Sequence, residues 1–168
     1  HAKDRRQRQM CIRDSTKLAK VLEDNTSLVR LDLQWHKLHE ESRTVLIDTG
    51  HGCIVAYAIV DACMKGRLED VRVLVEGHDV EKTGMSLDDM LSKEGWNTYG
   101  NSRTPLQSAA EKEQLEIVQF LVKTCTNKVD SIGQTDSDGR SSLHYAAWRS
   151  KKNVQTLQCL IDNYNGNI

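Results

Sequence analysis

Aromatic residues make up only 5 % of this 168-residue sequence, so a core built from it has to be mostly aliphatic and rich in alanine. Long apolar runs are absent. The longest, Cys53–Val60, stops at Asp61, far short of the ~18 residues that would suggest a membrane span, so no membrane partner is expected. Charge of either sign is nearly balanced, with a net of −1. That argues against a nucleic-acid binder, whose affinity would rest on cations facing phosphates. CxxC pairs are also missing. The five cysteines, Cys11, Cys53, Cys63, Cys125 and Cys159, are odd in number and scattered. This gives no support to a zinc ribbon or a thioredoxin-like site, and suggests reduced, buried thiols in the cytoplasm or nucleus. With 38 % apolar and 28 % charged residues, the composition is that of an ordinary folded chain. Its length suits one domain or one short repeat array.

The chain starts at His1 rather than Met, and its first residues are basic and polar, without the apolar stretch of a secretory signal. Met10-Cys11-Ile12-Arg13-Asp14-Ser15 is what the bases ATG TGT ATA AGA GAC AG, a transposase adapter used in sequencing libraries, encode when they run into a Ser codon. Arg8-Gln9 matches AGA CAG, the end of the same adapter. Residues 1–15 are therefore expected to be adapter-derived and to pack on nothing. They hold five Lys/Arg and two Asp, so the rest of the chain is mildly acidic.

Three segments align on one template. Asp136-Ser-Asp-Gly-Arg-Ser-Ser-Leu-His-Tyr-Ala-Ala147 is the clearest. Thr104-Pro-Leu-Gln-Ser-Ala-Ala110, followed by Leu115–Val122, is the second, and Ile59–Val75 is a degenerate third. Each has an apolar residue three positions before a small one, at Ile59/Ala62, Leu106/Ala109 and Leu143/Ala146. A second apolar helix follows in each case. Thr104 suits a helix cap and Pro105 the first helical position. Small Ala109, Ala110, Ala146 and Ala147 let neighbouring helices approach closely. Ile117, Val118, Leu121 and Val122 form a stripe at helical spacing. Asp138-Gly139 is a turn signal.

This pattern resembles the ankyrin repeat, with its period of about 33 residues and its T-P-L-H-x-A signature. The resemblance covers residues 54–168, divided as 54–80, 101–128 and 136–165, with an insertion at 81–100. It implies a mainly α fold, a helical solenoid with helix pairs near 55–76, 104–124 and 141–162. The intervals Ile59–Leu106 and Leu106–Leu143 both exceed the family period, so extra chain must lie between repeats. Ser86–Leu91 reads as a short capped helix, and Gly95–Gly100 as an elaborated loop. The turn glycine between paired helices survives as Gly66 but is replaced by Glu113 and Ser150. A left-handed conformation there costs a non-glycine residue about 1–2 kcal/mol, so those two turns are expected to differ. Lys151-Lys152 reads as a two-residue extension of the last turn.

Upstream, Leu28-Val-Arg-Leu31-Asp-Leu33-Gln-Trp-His36-Lys-Leu38 matches L-x-x-L-x-L-x-x-N-x-L with His36 in place of Asn. Leu18, Val21 and Leu22 precede it at helical spacing. Residues 16–48 thus resemble one leucine-rich repeat of the ribonuclease-inhibitor type. That implies an N-terminal α/β unit with a short strand at Leu28–Leu33. One such repeat cannot bury its own apolar face. It is read as the last survivor of a truncated array or as a cap on the helical stack. Both ends of the chain look cut, and a monomeric fragment is expected.

Chemistry is thinly supported. His36 and His39, followed by Glu40 and Glu41, are read as polar residues where a strand leads into a helix. His51 and Cys53 flank a glycine, but Cys53 opens an apolar run. Gly50-His51-Gly52 lacks the remaining features of a phosphate loop. His144 beside Ser141 and Ser142 has the look of half a triad, yet the resemblance gives this His a structural role, tying adjacent repeats. Cys63, Cys125 and Cys159 read as packing. No catalytic residue, cofactor or metal is assigned, and an enzyme is not expected.

What remains is surface. The resemblance implies a protein–protein interaction scaffold that binds through hairpin tips and the concave face of the first helices. Carried over position by position, that surface holds Met64 and Lys65, then Arg103, Glu111 and Lys112, then Ser137, Asp138, Arg140, Trp148 and Arg149. Trp148 and Arg149 stand out because Trp and Arg are enriched at binding hot spots. The alternative for Trp148 is a ring that covers helix packing inside the last repeat. A second functional reading is a regulatory or substrate-recruiting segment of a larger signalling or ubiquitin-ligase protein.

Overall fold

The structure, a computed structural model, describes residues 16–20, 52–92, 95–96, 102–149 and 154–165. The adapter-like segment 1–15, the strand expected at Leu28–Leu33, Ser150 and Lys151-Lys152 lie outside the described residues. Of the leucine-rich-repeat-like unit, only residues 16–20 are described; they are helical, and Ala19 is buried.

Three helix pairs form the body. They are α1 (Gly52–Lys65) with α2 (Leu68–Glu76), α5 (Pro105–Glu111) with α6 (Leu115–Thr124), and α8 (Ser142–Arg149) with α9 (Gln155–Asn165). Between the first two pairs stand α3 (Val80–Thr83), α4 (Leu87–Ser92) and β1 (Gly95–Trp96). β1 pairs antiparallel with β2 (Ser102–Arg103), Gly95 opposite Arg103 and Trp96 opposite Ser102. Between the last two pairs stands α7 (Lys128–Gly133).

The first helices pack side by side in the order α1, α5, α8, and the second helices behind them in the order α2, α6, α9. This is the expected mainly helical solenoid. The alignment residues explain it. Ile59, Ala62, Leu106, Ala109, Ala110 and Ala146 are all buried in one continuous core. Ala at the helix contacts removes the bulk that would hold the axes apart. The stripe Ile117, Val118, Leu121 and Val122 is at most 2 % exposed, and each such side chain stabilises by about 1.5–3 kcal/mol relative to exposure. Helix α1 is apolar nearly all round, and Ile54 to Val60 are all buried, because α2, α3, α4, α5 and β1 surround it. At its start, a Cβ on Gly52 would lie 2.7 Å from the Thr83 carbonyl oxygen. Gly52 therefore serves a close approach of backbone.

The segments between the pairs are docked to the body. α4 is capped as its sequence suggests, with Ser86 Oγ accepting from the Asp89 N–H at 3.1 Å. It buries Met90 and Leu91. Asp88 accepts from the Thr126 N–H at 3.1 Å, and Gln134 Nε2 donates to the Ser92 carbonyl at 2.9 Å. α7 accounts for the surplus residues between Leu106 and Leu143. Asn127 caps it by accepting from the Asp130 N–H at 3.3 Å, and Ile132 is fully buried.

One expectation is corrected. The turn between α5 and α6 does not differ from the glycine turn. Glu113 has φ 55°, against 70° for Gly66. The two hydrogen bonds that close the helix are the same in both turns. Gly66 and Arg67 N–H donate to Cys63 and Ala62, and Glu113 and Gln114 N–H donate to Ala110 and Ala109. Packing of α5 on α6 fixes the turn, and Glu113 bears the strain. Its Oε1 is also buried without a hydrogen-bond partner. Glu113→Gly is expected to stabilise the protein by about 0.5–1 kcal/mol, the relief of strain less the greater entropy glycine loses on folding. Urea unfolding measures it, and an unchanged or lower midpoint would show that the turn is not strained.

Candidate partner-binding surface

The hairpin before α8 is built on Asp136. Its Oδ1 accepts from the Asp138 N–H at 3.0 Å and the Arg140 N–H at 2.9 Å. Its backbone N–H donates to the Arg140 carbonyl at 3.0 Å. Gly139, at φ 74°, closes the turn. Ser137, Asp138 and Arg140 are thereby held exposed at the tip. Asp136 itself is buried, and its Oδ2 accepts from the Tyr145 hydroxyl. Burial raises the Asp136 carboxyl. The Tyr145 hydroxyl, the two backbone N–H groups and the charge of Arg103 outweigh that and hold it below the ordinary carboxylate value. Tyr145 moves the other way. Burial and the bond to Asp136 raise its hydroxyl above the ordinary value.

The foot of α5 is built by different chemistry. Thr104 Oγ1 accepts from the Gln107 N–H at 3.2 Å while Gln107 Oε1 accepts from the Thr104 N–H at 3.0 Å. This reciprocal cap satisfies two otherwise orphaned donors. The amide of Gln107 then reaches the following hairpin, donating to the Gln134 carbonyl at 2.8 Å and the Arg140 carbonyl at 3.3 Å. Gln107 thus ties one repeat to the next. His144 holds the equivalent place in the last repeat. Its Nδ1 accepts from the Ser141 N–H at 3.1 Å, and Ser141 Oγ lies 2.9 Å away. The bond from the Ser141 N–H to His144 repeats one half of the Thr104–Gln107 cap, at a helix start.

Eight of the ten expected surface residues are exposed or half-exposed. Two are not. Arg103 and Glu111 are buried as an ion pair, 3 % and 6 % exposed. The Arg103 guanidinium lies over the Tyr145 ring, 4.3 Å from its centroid. An Arg and a Glu on these elements read as surface by type. Tyr145, one repeat later, covers the Arg and removes both from solvent. Asp136, Tyr145 and Gln107, which the surface reading passed over, are the residues that hold these elements together. Their signal in the sequence is the Gln in the His slot of Thr104-Pro-Leu-Gln107 and the acidic start of the last hairpin.

Trp148 is 61 % exposed, so its ring does not cover the packing inside the last repeat. The guanidiniums of Arg140 and Arg149 lie 5.9 Å and 5.7 Å from its centroid. Arg140 pairs with Asp138 at 3.2 Å, and Arg149 reaches Glu111 at 3.6 Å. Lys112 lies 3.9 Å from the same carboxylate. Trp148, Arg149, Arg140, Asp138 and Lys112 therefore stand together. Met64 and Lys65 end α1, with Lys65 paired to Asp61 at 2.8 Å.

The model of the family described as ankyrin repeats (3 copies) matches residues 59–168. The chain belongs to the ankyrin-repeat family. A comparison with curated proteins gives no match. Ankyrin repeats are in general protein–protein interaction modules, and the family is typically non-catalytic. Within the ankyrin block, burial raises the thiols of Cys63, Cys125 and Cys159. Among the described residues no group of three or more His, Cys, Asp or Glu is arranged to hold a metal ion, and no helix is long and apolar enough to cross a membrane.

Proposed function

We propose that this ankyrin block is a non-catalytic scaffold that binds another protein through its last hairpin tip and the exposed face of its first helices, centred on Trp148. The observation that carries the reading is the exposure of Trp148 between two guanidiniums. The other large hydrophobics exposed among the described residues are Val73, Val80 and Val154, all smaller than the indole. An indole offers wide apolar area at little entropic cost, and a rim of mixed charge orients a partner and speeds encounter. Met64, Lys65, Lys112, Ser137, Asp138, Arg140 and Arg149 supply the rest of the surface. Arg103 and Glu111 serve it from below, by fixing the end of α5 against α8.

A ligand selected from a displayed peptide library against the folded protein tests the reading. Trp148→Ala is expected to weaken that ligand by about 2 kcal/mol, roughly thirtyfold in Kd. Stability should fall by under about 1 kcal/mol, since only exposed cation–π contacts are lost. Ligands that bind the variant as tightly as the parent protein would overturn the placement of the surface.

A further inference from the structure

Asp138 precedes a glycine at the tip of the last hairpin, and its side chain is 53 % exposed. Aspartate before glycine is chemically labile. The nitrogen of the next residue attacks the side-chain carboxyl and closes a five-membered succinimide. Glycine hinders that attack least, having no side chain. Crowding does not prevent it here, since even a Cβ on Gly139 would meet no atom within 4 Å.

The backbone does prevent it. The Gly139 N–H donates to the Asp136 carbonyl at 3.0 Å. Ser137 and Asp138, the two residues between, both have negative φ. The turn is therefore type I, with the ψ of Asp138 at about 0°. Ring closure needs Cβ, Cα and C of Asp138 nearly eclipsed with the Gly139 nitrogen, and at that ψ they are about a third of a turn away. The rotation that aligns them breaks the Gly139 hydrogen bond. It also pulls apart the Asp138 and Arg140 N–H groups, which Asp136 Oδ1 holds together at 3.0 Å and 2.9 Å. The carboxyl to be attacked is itself paired with Arg140 at 3.2 Å.

We propose that Asp138 is a site of isoaspartate formation and that the hairpin built on Asp136 is its lock, so that the reaction runs only through opened hairpins. In the open form the Gly139 nitrogen bonds to Asp138 Cγ, and the amide proton leaves with the carboxyl hydroxyl as water. A second water adds to the former main-chain carbonyl carbon and breaks its bond to nitrogen. The nitrogen keeps Cγ and regains a proton, and the carbonyl becomes a free carboxyl. Mass is unchanged, but the chain now runs through Cβ and Cγ. One carbon, about 1.5 Å of chain, is added between the Asp138 and Arg140 N–H groups, and Asp136 Oδ1 no longer holds both. The hairpin does not close again. Arg140, whose guanidinium lies 5.9 Å from the Trp148 centroid, is displaced with it. Loss of partner binding on conversion is the one consequence that rests on the Trp148-centred reading.

The test incubates the folded full chain beside a synthetic peptide of residues 134–142 in the same neutral buffer. Isoaspartate is read by electron-transfer fragmentation, which breaks the Cα–Cβ bond that the modification places in the main chain. The peptide is expected to convert at least about tenfold faster than the folded chain, because each opening gives up a hydrogen bond and an ion pair. That ratio should equal the hydrogen-exchange protection of the Gly139 amide, since both reactions need the same opening. Asp136→Asn, a weaker acceptor, should speed conversion several-fold with helical content unchanged. Asp138→Glu, which would have to close a six-membered ring, should not convert. Equal rates in chain and peptide, conversion of the chain faster than Gly139 protection allows, or an inert peptide would each overturn the proposal. So would an unchanged rate in folded Asp136→Asn. The protection comparison uses the parent protein alone and stands even if that variant does not fold. If the converted chain binds the library-selected ligand as before, the link to Trp148 has failed and the modification site has not.

Discussion

Arg103→Met is expected to remove about 3–5 kcal/mol of stability, because it leaves the Glu111 carboxylate buried beside an apolar side chain. The pair is buried on both sides, and its guanidinium is clamped over Tyr145. Arg149 and Lys112, both nearer solvent, stay within 3.6 Å and 3.9 Å of Glu111. They place the loss toward the lower end of that range. The double variant Arg103→Met/Glu111→Leu should recover most of it, to within about 1 kcal/mol of the parent protein. A buried ion pair rarely outperforms well-packed apolar groups, yet half a pair is costly. The guanidinium Nε also lacks a hydrogen-bond partner, so the pair is not ideally satisfied to begin with. Urea unfolding of the two variants measures both quantities. A loss below about 1 kcal/mol in the single variant would mean that water reaches Glu111 freely.

The helix pairs were legible because one local rule repeats. An apolar residue three positions before a small one, then a second apolar stripe, is enough to set where α1, α5 and α8 begin and what they pack against. The cap at Thr104-Pro105 was legible for the same reason, since its partners lie within four residues. Arg103 and Glu111 were not. They occupy the same template positions as Arg140 and Trp148, and a position-by-position reading treats the two sets alike. The structure separates them because Tyr145, from the next repeat, lies over Arg103, a contact no local pattern announces. Glu113 shows the opposite error. A left-handed conformation is disfavoured for a non-glycine residue, yet Glu113 adopts it in the turn between α5 and α6. α7 was visible only as surplus length. Its Asn127 cap and single buried Ile132 are too brief a signal to separate from loop.

Asp136→Ala is expected to cost about 3–6 kcal/mol, since it deletes three hydrogen bonds to a buried carboxylate, each with a net value of about 1–2 kcal/mol once partial rescue by water is allowed. The Asp138 and Arg140 N–H groups and the Tyr145 hydroxyl would lose their acceptor together, and the last hairpin would lose what shapes it. The same carboxylate gives the protein a pH dependence of known sign. Its folded pKa lies below the unfolded value of about 3.9. Its contribution is therefore fully present above that pH and is lost as pH falls through the folded pKa. Tyr145 supplies the other limb. Its folded pKa lies above the unfolded value of about 10, so its contribution is intact below pH ~10 and fades as pH rises beyond it. Unfolding free energy measured against pH should hold a plateau between these limits, as far as this pair is concerned, and fall outside them. Asp136→Asn keeps an acceptor for the hairpin N–H groups but carries no charge, so it should lower the plateau and flatten the acid limb. An acid limb as steep in Asp136→Asn as in the parent protein would assign it to other carboxylates and remove Asp136 from the account of acid stability.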